Sequence, residues 1–179
     1  FTVTGEMFLD GTDTGELIAL CGAEYRTGAE SRTETGETHA PEFANPADMQ
    51  PVTYTAAIEN RRTGDFVIPK PDGYDEFRRL RMPYDDYPVF SMFGPDSSTG
   101  RAKRFGMFEG ETDEKGNELF PLFKYRRIIN SAYFTDGSEP YDVTLVNWPQ
   151  NDFFLGNLFD CPDASENDRL ARLFTLSFV

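Results

Sequence analysis

Three stretches of this chain carry side chains whose types and spacing could do chemistry. The first is Asp10-Gly11-Thr12-Asp13-Thr14-Gly15-Glu16, where acidic and hydroxyl groups alternate just ahead of Leu17-Ile18. Oxygen donors in that rhythm match the start of a calcium loop, which wants ligands at positions 1, 3 and 5, Gly at 6 and Glu at 12. Position 12 is Cys21, so the bidentate anchor is missing. Two other readings fit the same residues. One is a turn whose following helix offers free N–H groups and a positive dipole end to an anionic or polar ligand. The other is a capped turn that binds nothing.

The second stretch is Thr144-Leu145-Val146-Asn147-Trp148-Pro149-Gln150-Asn151-Asp152-Phe153-Phe154. A β-branched segment feeds the only Trp, then a Pro, then three polar side chains in a row. Carboxamides at the end of a buried strand are costly to leave unpaired, so they either satisfy local backbone or meet a polar ligand. Trp148 is either a stacking face or a core residue. The third is His39, the single His, set in the polar segment Glu37 to Glu42. Its titration range makes it a candidate general base, although an exposed loop His is the commoner case.

Other chemistries lack their signatures. No GxGxxG appears, Gly94 to Gly100 has the wrong spacing for a P-loop, and no Ser lies in a GxSxG elbow. With one His and two distant cysteines, Cys21 and Cys161, no metal site is expected, and both thiols are expected reduced and buried. A net charge of −14 without a Lys/Arg-rich stripe argues against nucleic acid as a partner. No apolar run approaches the roughly 20 residues of a membrane span. Hydrophobic content of 39% with 15% aromatics argues for a packed core despite the charge.

The elements that must position these groups follow from periodicity. Residues 2–9 are expected as a strand, 10–13 as a turn, and Thr14 as the cap of a short helix ending at Gly22. Residues 26–50 are expected as a long ordered loop. Strands are expected over 52–58, 87–93, 125–130 and 141–146, and 104–108 with 119–123 as a hairpin about a 112–117 turn. Pro69 to Gly73 is expected as a turn and 74–81 as one or two helical turns. A final helix is expected from Asp163, with a capping box to Glu166 and one face of Leu170, Leu173, Phe174 and Phe178. That face runs to Val179 without a capping Gly, and the chain opens on Phe1 without Met. Apolar surface should therefore be left over at both ends, as in a segment of a longer protein.

Asp10 to Leu17, followed by Cys21-Gly22-Ala23-Glu24-Tyr25-Arg26-Thr27-Gly28, resembles the "DATxxGDLxxLAGVxYRxG" stretch of a family of FAD-dependent oxidoreductases. Tyr141 to Asp152 is similar to that family's "VNWPxNDY" stretch, and Leu173 to Val179 resembles the helix that follows it. Gly11 stands where the family has Ala, and Glu16 where Asp is common, so its carboxylate would reach farther. The resemblance implies an α+β substrate domain, mainly antiparallel sheet with a few flanking helices, cut from a larger flavoprotein. It implies residues 1–28 at the junction with a flavin-binding domain, 50–160 as a β-rich substrate domain and 163–179 as a helix leading back. FAD would be bound mainly by residues outside this chain, with Asp10, Gly11, Thr12, Gly15 and Glu16 near the cofactor. Asn147, Trp148, Gln150, Asn151 and Asp152 would face a small-molecule substrate. The contrasting reading is a non-catalytic β-rich module for carbohydrate or another ligand, using Trp148 and exposed Tyr side chains.

Overall fold

The apolar stripe near the end of the sequence folds as the longest element, α5 (Ala164–Phe178), and most of its face is used. Phe174 is fully buried, and Leu170 and Leu173 pack against the same cluster. A computed structural model describes every residue except 13, 62, 83 and 84, in two units, residues 1–50 and 51–179.

In residues 51–179 a three-stranded antiparallel sheet has β5 (Val143–Val146) in the middle, between β1 (Ala56–Glu59) and β4 (Arg127–Ile129). Ala56 faces Val146 and Ile58 faces Thr144 across the first pairing. Thr144 and Val146 lie on the buried side of β5, so the sheet shows its two-residue alternation. A second, two-stranded antiparallel sheet joins β2 (Phe93–Pro95) to β3 (Ala102–Arg104). Two short helices, α3 (Tyr74–Phe77) and α4 (Leu122–Tyr125), complete this unit. The fold is small and α+β.

The core has two centres. In one, the Phe174 ring meets Phe77, Phe90 and Phe153 at centroid separations of 5.3, 5.0 and 5.9 Å. The Phe77 and Phe153 pairs are edge-on and the Phe90 pair tilted, and such ring contacts add to the area they bury. In the other, Leu122, Val146 and Trp148 pack together, and Phe178 closes on Trp148 at 6.1 Å. Tyr54 ties the sheet side to α5, since its carbonyl accepts from the Thr175 hydroxyl at 2.7 Å and its own hydroxyl donates to Asp168.

Residues 1–50 hold α1 (Glu16–Leu20) and α2 (Arg32–Thr35). Ser31 and Glu34 form a complete capping box on α2, and Ala29 exchanges backbone hydrogen bonds with Asn45 at 3.0 and 2.8 Å. Gly28 sits at φ 68°, and a Cβ there would lie 2.2 Å from the Asn45 carbonyl oxygen, so this position requires Gly.

Several sequence expectations need correction. Residues 2–9 form no strand: among the described residues nothing supplies them a ladder, and Phe1, Val3, Met7, Phe8 and Leu9 are exposed. Gly15, not Thr14, precedes α1, in the left-handed region at φ 64° and with no side-chain cap. Asp13 of the expected turn lies outside the described residues. The 52–58 strand shrinks to 56–59 plus a bridge from Val52 to Phe153, and 87–93 contributes only Phe93 to a strand. The expected 104–108/119–123 hairpin keeps its turn, with Asp113 bonded to Asn117, but Gly106 meets Pro121 in parallel and 122–125 is helical. The Asp163–Glu166 capping box does not form, because Glu166 takes Arg169 instead. Of the large apolar residues of the final helix and its cap, only Leu176 and Val179 remain well exposed. Both thiols are free, yet Cys21 is exposed and Cys161 only half-buried.

Candidate functional site

The 147–152 turn follows directly from β5. Pro149 fixes the first φ of a one-turn 3-10 helix, Pro149–Asn151, which turns the Asn151 side chain back onto the end of β5 and sends Gln150 to β2 and Asp152 to Thr53. Asn151 is wholly buried, and its carboxamide is engaged on both sides. Its oxygen accepts the Trp148 backbone N–H at 2.9 Å. Its nitrogen donates to the carbonyls of Tyr54 and Val146 at 3.1 and 3.3 Å, and lies 3.4 Å from the Thr175 hydroxyl. Gln150 is also buried, and donates to the Phe93 carbonyl of β2 at 3.1 Å. Trp148 is 1% exposed and edge-on to Phe178, which removes the open ring face a carbohydrate platform would use. Its indole N–H has no partner among the described residues.

Asn147 and Asp152 are the two half-buried members of the set. Both border a cleft of about 420 Å³, with Trp148 and Pro149 in the same wall. Asp152 accepts from the Thr53 hydroxyl, and burial pushes its carboxyl above the ordinary carboxylate value. That makes Asp152 a group able to hold a proton nearer neutral pH than a surface carboxyl.

The remaining walls come from three other segments. Phe120 and Tyr125 stand edge-on at 5.4 Å, and both are exposed to the cleft side of the molecule's surface. The Arg126 guanidinium lies 5.0 Å from the Tyr125 ring centroid. Asp96 follows β2, and hydrogen bonds from Ser98, then Lys103 and the Thr99 N–H, hold its carboxyl well below the ordinary range. The Lys103 ammonium is 3.3 Å from Asp96. Neither Tyr125, Arg126, Lys103 nor Thr53 stands out in the sequence. Arg126-Arg127 next to aromatics was the available signal, but nothing in it says that Arg127 pairs with Asp142 at 3.1 Å while Arg126 turns to the cleft.

The other candidates lie in residues 1–50. Asp10 accepts from the Thr12 N–H at 2.9 Å and its hydroxyl at 2.8 Å. These bonds, with the Ile18 and Leu17 N–H groups behind them, hold the Asp10 carboxyl below its ordinary value. The N-terminus of α1 thus faces a carboxylate of the chain itself. Gly11, Thr12 and Glu16 are exposed, and Gly15 is half-buried before α1. His39 is exposed in a turn after α2. Asp10 and His39 belong to residues 1–50, and the 147–152 turn to residues 51–179. Among the described residues no helix is long and apolar enough to cross a membrane.

Residues 1–178 match the family model described as FAD dependent oxidoreductase. No curated protein and no solved structure was found to match the chain.

Proposed function

The chain belongs to the FAD-dependent oxidoreductase family, and from that premise we propose that residues 51–179 form its substrate-facing unit. A flavin-binding domain of the same protein is the partner in this reading. The observation that carries it is the cleft beside the 147–152 turn, where a half-buried carboxyl, a carboxamide and aromatic rings converge on one concave surface.

The described residues do not fit the diphosphate of FAD. That group wants free N–H donors at a helix N-terminus behind a Gly-rich turn. Here α1 is five residues long and its first donors already face Asp10, whose negative charge would repel a phosphate. The dinucleotide half is therefore assigned to residues outside this chain, and Asp10 to Glu16 to a supporting turn near that junction. The flavin, when bound, supplies the electron chemistry. The residues of this chain bind and orient the substrate. Asn147 offers a donor and an acceptor at the cleft edge, and Asp152 sets beside it a carboxyl whose burial raises it above the ordinary carboxylate value. Gln150 and Asn151 act behind them by fixing the turn. His39, exposed in the turn after α2, stays a candidate base by residue type.

Two measurements test this reading. The 179-residue chain alone should purify without absorbance near 450 nm, whereas stoichiometric FAD on it would overturn the division of labour. In the flavin-loaded longer protein, Asn147→Ala and Asp152→Asn should alter the visible flavin spectrum or reduction potential while flavin content stays constant. Unchanged spectra and potentials in both variants would move the cleft away from the flavin and refute the assignment.

A further inference from the structure

We infer that the cleft beside the 147–152 turn takes a flat molecule bearing a carboxylate, with Arg126 as the group that receives it. The inference deepens the substrate-facing reading and rests on it for biological meaning, although binding can be measured independently.

Two carboxyls and two cationic side chains border the cleft: Asp96 and Asp152, Lys103 and Arg126. Asp96 and Lys103 neutralise each other at 3.3 Å, and the Ser98 and Thr99 donors saturate Asp96 further. Asp152 is bonded to Thr53, and its burial favours the protonated form. Arg126 is what remains. Among the described residues no carboxylate lies within ion-pair reach of it and its guanidinium makes no hydrogen bond; its contact is with the Tyr125 ring. In a chain of net charge −14, an unpaired guanidinium at a cleft wall is a local reversal of sign.

Shape and donor geometry narrow the ligand. A guanidinium resting against a ring is held in orientation while its N–H edges stay open, and that planar fork matches a carboxylate's two oxygens. Beside it the partly exposed Tyr125 and Phe120 side chains offer apolar, planar surface. A carboxylate carried on an aromatic or conjugated skeleton satisfies both at once. Asn147, which borders the same cleft, supplies a donor and an acceptor for a further polar group.

Trp148 is the only Trp in the sequence and borders the cleft, so its emission reports occupancy. The probes are benzoate, its neutral isostere benzamide, and inorganic phosphate, titrated into the full chain with excitation at the red edge. Benzoate should give a saturable change. Arg126→Leu should weaken it by about tenfold or more, as expected for loss of a charge-assisted pair, and Arg126→Lys should restore part of the loss. Because Arg126 is exposed, both variants should melt with the native protein. Benzamide should bind at least tenfold more weakly than benzoate, and phosphate should compete only weakly because it lacks the ring. Equal binding of benzamide and benzoate, unchanged benzoate affinity in Arg126→Leu, or no saturable change with benzoate would overturn the inference. Phosphate binding better than benzoate would overturn the flat-ligand part. None of these failures touches the flavin-spectrum test, so the two readings fall separately.

Discussion

Replacing Asn151 should cost stability before it costs anything else. In Asn151→Leu the Trp148 N–H, buried and bonded only to the Asn151 oxygen among the described contacts, is orphaned. An unsatisfied buried donor costs about 1–3 kcal/mol. Loss of the amide donations to Tyr54 and Val146 adds roughly 0.5–1.5 kcal/mol each, softened at Tyr54 because Thr175 still donates to that carbonyl. A central figure of about 3 kcal/mol follows, which for a unit the size of residues 51–179 lowers the melting temperature by roughly 10 °C. Asn151→Asp is the sharper variant. It keeps an acceptor for Trp148 but turns a carboxylate toward two carbonyl oxygens, so its folded pKa must rise. A group with a raised folded pKa stabilises when protonated, and that contribution is lost as pH climbs through the folded value. The Asp variant should therefore melt far below native at pH 7 and recover part of the gap toward pH 4. Thermal melts followed by Trp148 emission read both effects. A Leu variant melting within about 2 °C of native, or an Asp variant whose deficit ignores pH, would refute the reasoning.

Two further outcomes can be checked on the same preparation. Because burial raises the Asp152 carboxyl above its ordinary 3.8, the native chain should lose stability as pH rises from about 4 through that raised value. Asp152→Asn keeps an acceptor for Thr53, removes this slope, and should melt higher than native at pH 7 but not at pH 4; parallel melting curves across that range would argue against it. Gly28→Ala forces a side chain into the left-handed region and against the Asn45 carbonyl, so limited proteolysis should cut within residues 26–50 several-fold faster, and an unchanged cutting rate would count against the strained position.

The elements legible in the sequence are those whose signal is local and long. Leu170, Leu173 and Phe174 declare α5 by spacing alone, and the β-branched run before Asn147 declares β5. The capping box that starts α2 is written in the sequence as Ser31-x-x-Glu34, but the Gly and Pro residues around it mask so short a helix within 26–50. Residues 2–9 have good strand residues and no strand, because a ladder needs a partner that propensity cannot supply. The polar run after Trp148 was legible as a special turn, but not which carboxamide faces inward. That is decided by the 3-10 geometry after Pro149 and by a helix more than twenty residues later, where Thr175 waits. The cleft's charge was illegible for the same reason: only tertiary pairing tells Arg127 from Arg126.

The bonds around Tyr54 have a consequence for how the chain is made. Its carbonyl and hydroxyl are met by residues 97, 114 and 121 positions downstream. At roughly 5–20 residues per second of synthesis, Tyr54 leaves the ribosome on the order of ten seconds before its last partner exists. Over that interval Val52, Tyr54 and Phe77, whose cluster is closed by Phe174, have no helix to pack against. The nascent chain would then present an aromatic-rich surface to holding chaperones until α5 emerges. Shortening the C-terminal end by a few turns should thus show up as degradation in the cell before it shows up as any change in activity.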